Sequence, residues 1–415
     1  MRIEDERQVS AMKRIWLIAA ASLTLLSGGG VGAQERMGSA APAPAYRPGW
    51  TLTPTFGVAE TYDDNISFFG RNTAEEQNDD YIATYFPEVD LHYAGHHTQF
   101  GSGYTGSFLD YRSHSGLNRW DQRGRIEVRR EETAQIKWFA HGNAAAVPTT
   151  DLIDLGGIPF RRTGATTMDG RAGVEYVISG TNAVSTSVNY NRVDFERPDD
   201  VSAFLRGGHI FESMSAWRHK IDERMALGAD YSFRRASIVG DAEPFNLHST
   251  QAAIDYEISP IWSLSGAGGI VYMESTPTIE GRTGPAWRIA VERHRVGRTF
   301  HVSYLRSFIP SFGFGGTVKN EQVSVGYRTP LFNNRRFYLD NVAVFRDDQP
   351  LTDISEQLPL RSLRTYTIFG WEAQPWVRIE AFYARVDQSS LRAGGRLDRN
   401  RIGFQIVTSK PVRMP

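Results

Sequence analysis

No cysteine occurs in the 415 residues, so no disulfide holds the fold, and a small secreted disulfide framework is excluded. Lysine is nearly as scarce. Only Lys13, Lys137, Lys220, Lys319 and Lys410 break a basic set that is otherwise 41 arginines. A planar, permanently charged fork suits bidentate pairing with carboxylates, on this chain or on a ligand. Neither sign of charge is in excess, since the formal net charge is -1, which gives no support for a nucleic-acid partner. Beyond the N-terminal segment no run approaches the roughly 18 apolar residues that a membrane helix requires.

That N-terminal segment reads as a secretory signal over residues 1–33. Lys13 and Arg14 are its basic start, Ile15 to Leu26 its apolar core, and Val31-Gly32-Ala33 a cleavage site before Gln34. The charged stretch before Met12 does not fit such a signal, which makes Met12 the better translational start. Residues 34–49, rich in Ala, Pro, Gly and Ser from Met37 to Pro48, read as a disordered periplasmic lead-in.

What the chain has in abundance is alternation. From near Thr51 to Thr408 a period of two in hydrophobicity is renewed again and again, each time over one strand's length, as in Arg401-Ile402-Gly403-Phe404-Gln405-Ile406. In a strand such a run separates an oily face from a wet one. Extended over several hundred residues, it predicts an all-β, up-and-down antiparallel transmembrane barrel of about 18 strands (16–18) filling residues 50–415. Aromatic residues at 12% and 39 glycines fit interface girdles and strand crossings. The connections alternate as well. Tight ones such as Gly95-His96-His97 and Asp222-Glu223-Arg224 take turns with longer ones such as Ile66 to Asp80, Val147 to Thr167, Arg346 to Leu363 and Gln388 to Arg399. Short periplasmic turns and long outer loops place both termini in the periplasm of a Gram-negative cell.

The phase of each strand assigns the faces. Val89, Leu91 and Tyr93, Val174, Tyr176 and Ile178, Leu227, Tyr231 and Phe233, Ile254, Tyr256 and Ile258, Trp287, Ile289 and Val291, and Val323, Val325 and Tyr327 belong to the lipid side. The opposite phase carries Arg123, Arg125, Glu127, Arg129, Arg171, Glu175, Asp230, Asp255, Glu257, Arg288, Glu292, Arg328, Arg378, Glu380 and Arg401. A charge on lipid costs about 2–4 kcal/mol at the midplane, so these residues are candidates to face a wet lumen. The row Arg123, Arg125, Glu127, Arg129 has two readings: a basic ladder for an anionic solute, or interior ion pairs that fill space.

Other motifs point to less. His219 near Ser215 and His301 near Ser303 lack the spacing of a nucleophile with its base, so no catalytic residue and no enzymatic activity are expected. His96-His97 reads as a solvated turn. Gly266-Ala267-Gly268-Gly269 lies within a strand and marks close packing. Asp63-Asp64-Asn65 and Asp79-Asp80 are carboxylates at strand exits, expected to be solvated more than to bind Ca²⁺. No metal and no cofactor is expected. The last strand only partly matches the barrel-assembly signal, because Thr408 stands where a hydrophobe is usual and Ser409 to Pro415 run beyond it.

One segment is more specific. Trp50 to Pro54 with Gly57-Val58-Ala59-Glu60-Thr61-Tyr62-Asp63-Asp64-Asn65-Ile66 resembles the opening strand of outer-membrane β-barrel porins encoded with exopolysaccharide export systems, and Gly57, Glu60, Tyr62, Asp64 and Asn65 carry the resemblance. It implies a passive conduit in the export or surface attachment of an exopolysaccharide. The partners it implies are a periplasmic polysaccharide-export protein and an anionic polysaccharide, beside outer-membrane lipid, lipopolysaccharide and the barrel-assembly machinery. The alternatives are a general diffusion porin for small solutes and, from other classes, a lipid-modifying enzyme of the outer membrane or an adhesive scaffold.

Overall fold

The structure, a computed structural model, describes residues 48–68, 78–153, 156–196, 205–239, 243–277, 279–313, 315–332, 334–351, 359–390 and 396–414. The signal and most of the lead-in lie outside the described residues. The first strands are β1 (Gly49–Asp63), β2 (Asp80–Ala94), β3 (Thr98–Tyr111), β4 (Arg119–Glu131), β5 (Ile136–Val147) and β6 (Ala165–Val177). They are followed by β7 (Asn182–Phe195), β8 (Gly208–Lys220), β9 (Met225–Ile238), β10 (Phe245–Ser259), β11 (Trp262–Met273) and β12 (Arg282–Arg295). The series ends with β13 (Arg298–Pro310), β14 (Thr317–Leu331), β15 (Asn334–Pro350), β16 (Leu360–Gln374), β17 (Val377–Ser390), β18 (Arg396–Ser409) and the two-residue β19 (Val412–Arg413).

Each strand from β1 to β18 pairs antiparallel with its sequence neighbours, and β18 pairs with β1 from Thr55↔Ser409 to Asp63↔Arg401. The sheet is therefore a closed barrel of 18 long strands, as the alternation predicts, and it has no free edge. The residues after β18 do not hang loose. β19 continues the seam by pairing with Thr51 and Leu52 of β1.

Outward phases carry the apolar belt. Ile402, Phe404 and Ile406 are 60%, 48% and 43% exposed, whereas Gln405 between them is 1% exposed. Val89, Val174, Tyr176, Leu227, Tyr231, Tyr256, Trp287, Ile289 and Val323 all lie on this exposed face. Aromatic pairs mark both rims. Trp50–Tyr93, Trp262–Phe300 and Phe337–Trp371 sit at the short-turn end, and Tyr62–Tyr81 and Phe108–Trp120 at the loop end. Rings at both ends of an oily band are the girdles of a membrane-spanning barrel.

The strands run further toward the loops than the hydrophobic pattern predicts. The connections read as Arg346 to Leu363 and Gln388 to Arg399 are shorter, because β15 continues to Pro350, β16 begins at Leu360 and β18 begins at Arg396. The reason is visible in two adjacent outward rows. Tyr304, Val323, Phe345 and Leu363 are successive cross-strand partners, and two residues higher the partners are Arg306, Glu321, Asp347 and Arg361. Above the hydrocarbon the outer face turns polar while backbone pairing goes on, so the alternation fades before the strand does.

Candidate functional site: the bore and the loop that closes it

The inward phases hold the fifteen charged candidates, most of them in ion pairs. On β4, Arg123 Nε donates to Asp121 at 3.1 Å, Arg125 reaches Asp90 at 2.6 Å and Glu88 at 3.8 Å, and Glu127 and Arg129 are exposed near the turn end. Arg171 of β6 donates to Ser187 Oγ at 3.2 Å and covers the Phe139 ring at 5.6 Å, and Glu175 lies opposite Lys137. Asp230, Asp255 and Arg288 come together through Arg218, an inward residue of β8 outside the fifteen. Arg218 pairs with Asp230 and, at 3.1 Å, with Asp255, while Arg288 reaches Asp230 at 3.1 Å. Glu257 stands half-buried nearer the turn, and Glu292 accepts from His294 at 2.9 Å. Across the barrel, Arg328 lies 4.1 Å from the Tyr338 ring centre and Arg378 lies 2.7 Å from Glu380. Glu380 also accepts from Tyr338 Oη and Gln405 Nε2. Of the row on β4, Arg123 and Arg125 are thus in interior ion pairs, whereas Glu127 and Arg129 are exposed.

Burial along the inward face is strongly graded. Near the turns, inward residues such as His92, Gln99, Glu127, Arg129, Thr299 and Arg336 are exposed. Near the loops they are buried around the circumference: Val193 is 0% exposed, Val271 1%, Leu247 2%, Val318 3% and Arg399 4%. The sequence leaves open whether a loop such as Val147 to Thr167 folds into the lumen; in the structure the bore is open at the turn end and filled at the loop end.

The filling is the connection between β5 and β6. It folds on itself through Thr150, whose hydroxyl donates to the Pro159 carbonyl at 2.7 Å and whose amide donates to the Arg161 carbonyl at 3.0 Å. A short 3-10 turn over Thr150–Leu152 follows Thr149. Ile153 and Ile158 then pack with Val193, Ile210, Ile238, Phe245, Leu247, Val271 and Met273, an apolar core inside the barrel. Toward the other wall, Phe160 packs with Val386, Leu397 and Phe68, and its amide donates to Gln388 Oε1 at 2.7 Å. Gly157, at φ +73°, donates to Asp348 Oδ2 at 3.0 Å, and a Cβ there would lie 2.6 Å from Ser311 Oγ, so only glycine fits this crossing. Arg162 donates to the Ile66 carbonyl at 2.5 Å and so ties the loop to the first connection.

The charged anchor of this plug is Asp151. Arg399 Nη1 donates to it at 3.0 Å, and Arg401 Nη2 lies 3.6 Å away. The other face of Arg399 is held by Asp63, which is 0% exposed and receives Nε at 2.9 Å. One guanidinium thus joins the end of β1, the start of β18 and the plug. Burial pushes the Asp151 carboxyl up, but Arg399 and Arg401, with a hydrogen bond from Thr149, pull it further down, so it lies below the usual carboxylate value. The ionised form therefore stabilises the seated loop above the ordinary aspartate value, and that contribution is lost as pH falls through the lowered one. Amide exchange over residues 148–164 in detergent should stay protected from neutral pH through the ordinary aspartate range and rise only below it. Asp151→Asn should flatten that dependence.

The opening-strand residues have structural roles at the same seam. A Cβ on Gly57 would meet the Phe86 ring at 2.0 Å. Glu60 points outward to Arg112 at 2.6 Å, and Tyr62 donates to Asp79 at 3.3 Å. Asp64 accepts from the amide and side chain of Asn400 at 2.6 and 2.7 Å, and Asn65 donates to the Asp398 carbonyl at 3.0 Å. The expectation of solvated carboxylates here is corrected at two positions. Asp63 is sealed against Arg399, and Asp80 is 2% exposed, accepting from Ser113 N and His114 Nδ1 at 3.0 and 2.9 Å. Among the described residues no group of three or more His, Cys, Asp or Glu is placed to hold a metal.

The remaining motifs are local. In β11 a Cβ on Gly268 would meet the Trp287 ring at 2.4 Å and one on Gly269 the Thr250 carbonyl at 2.0 Å, which is close packing. His219 Nδ1 contacts Asn182 Oδ1 at 3.0 Å, and His301 Nε2 lies 3.3 Å from Ser324 Oγ.

The closed wall, oily outside and polar within, with a ring of aromatics at each rim, defines a transmembrane β-barrel, and the chain is located in the outer membrane. No family model matches the chain, and no curated protein matches it. Similar solved structures include OccAB4 of Acinetobacter baumannii, at 10% identity and a TM-score of 0.45 over 89% of this chain and 100% of that one. OpdQ of Pseudomonas aeruginosa is 9% identical, with a TM-score of 0.44 over 88% and 98%. The siderophore receptor PirA of the same organism is 9% identical, with a TM-score of 0.42 over 88% and 81%. At these overlaps the similarity says nothing of substrate.

Proposed function

We propose that the chain is a gated diffusion channel for small hydrophilic solutes. The observation that carries this reading is the graded bore: a charged, exposed cup at the turn end leads to a folded loop that fills the mouth. A barrel of this strand number is wide enough for an aqueous channel once its filling moves, and rings of ionised side chains favour polar solutes over apolar ones. A plug anchored on both walls suits intermittent passage of small molecules better than continuous threading of a polymer. Purified protein in planar bilayers should show brief discrete openings from a mainly closed state. Silence from both the native chain and a chain lacking the plug would overturn the reading.

A conduit for exopolysaccharide is the second reading. It is supported by the opening-strand resemblance at Gly57, Glu60, Tyr62, Asp64 and Asn65 and by a bore open at the periplasmic end, where a polymer delivered by an export partner would load. Unchanged amounts of released and cell-associated polysaccharide after deletion of the gene would remove it.

A further inference from the structure

The plug presents a carboxylate to a wall built of arginines. Asp151 is held by Arg399 and Arg401 of β18, and the neighbouring Phe160 ring is covered by Arg364 of β16 at 4.9 Å. The two β18 arginines differ. Arg399 is sealed between Asp63 and Asp151 with its side chain 4% exposed, whereas the Arg401 side chain is 27% exposed and stands at the longer, 3.6 Å arm. Arg401 therefore borders the open part of the bore. On the same face, Tyr366 of β16 and Arg401 are separated only by Ala384 of β17 in one cross-strand row. The Tyr366 hydroxyl is buried without a hydrogen-bond partner among the described residues. An unpartnered hydroxyl two strands from a partly exposed guanidinium, in one inward row, is a pair that a planar acid with a further hydroxyl or ring oxygen would bridge. The other charges around Asp151 do not compete for that position: Asp63 is committed to Arg399, and Asp121 of β4 to Arg123.

We propose that Asp151 is a tethered carboxylate occupying a ligand site, and that a solute bringing its own carboxylate takes Arg401 and Tyr366 and so unseats the loop. This rests on the channel reading and deepens it: the solute is an acid, and it opens the gate it passes. The exchange conserves charge at the wall, since one carboxylate leaves Arg401 as another arrives. A neutral solute of the same shape gains nothing from Arg401 and leaves the plug seated.

The test is swelling of liposomes that contain the full chain, with galacturonate and galactose as the probes. Native protein should admit galacturonate faster than galactose by on the order of tenfold. Asp151→Asn should raise galactose entry toward that of a chain whose residues 148–164 are replaced by a short Gly-Ser linker, and should narrow the preference. Arg401→Gln, at the partly exposed arm, should abolish the preference while the barrel keeps its heat-dependent gel mobility. Equal entry of both sugars through native protein, or an Asp151→Asn chain indistinguishable from native while the linker chain conducts, would overturn the proposal and leave the channel reading standing. If the linker chain admits neither sugar, the channel reading fails and takes the proposal with it.

Discussion

Arg399→Met should destabilise the barrel by about 3–5 kcal/mol, because it leaves Asp63 buried without its counter-charge and Asp151 with only the longer contact to Arg401. Asp63 and Asp151 are 0% and 4% exposed, and both are satisfied by the one guanidinium. The loss is to be read as a lower denaturant midpoint for unfolding from detergent or lipid. Arg361→Ala is the fitting comparison, since that side chain is 48% exposed on the outer rim and pairs with Asp347 at 3.2 Å. A surface pair of this kind is worth about 0–1 kcal/mol. If the two variants shift the midpoint equally, the seam is not held as described.

The second large effect belongs to the plug. Replacing residues 148–164 with a short linker should turn brief openings into a persistent ohmic current, raising mean conductance by roughly an order of magnitude, as expected when a barrel of this size loses its filling. The same change strips cover from Val193, Ile210, Ile238 and Val271, so this chain should also bind apolar dyes more strongly than the native one. A linker chain that folds and conducts no better than native protein would mean that the bore is blocked elsewhere.

Strands and faces were legible in the sequence because lipid and water act on every position of the wall. Ile402, Phe404 and Ile406 face outward and Gln405 inward for a reason that each residue carries in itself. The loop ends were less legible, since the outward face there is polar and the contrast that reveals a strand disappears. Arg399 shows the consequence: read as part of a loop from Gln388, it is a strand residue at the centre of the most deeply buried ion pairs among the described residues. The plug was not legible from alternation at all, because its seating depends on residues far apart in the chain. Two signs of it were nonetheless present. The connection after β5 carries Leu152, Ile153, Ile158 and Phe160, too oily for an external loop, and the strands facing it lose their alternation near the loop end, as in Ile270-Val271-Tyr272-Met273. Apolar residues on both faces of a barrel strand mean that something covers the inner one.

The absence of cysteine offers the most direct test of the membrane-spanning wall. Single cysteines placed in turn at Trp287, Arg288, Ile289, Ala290 and Val291 of β12, each carrying a fluorophore in reconstituted protein, can be quenched by brominated lipid. Strong quenching at 287, 289 and 291 with little at 288 and 290 is the expected result. Uniform quenching, or none at all five positions, would contradict a wall with hydrocarbon on one side and a polar interior on the other.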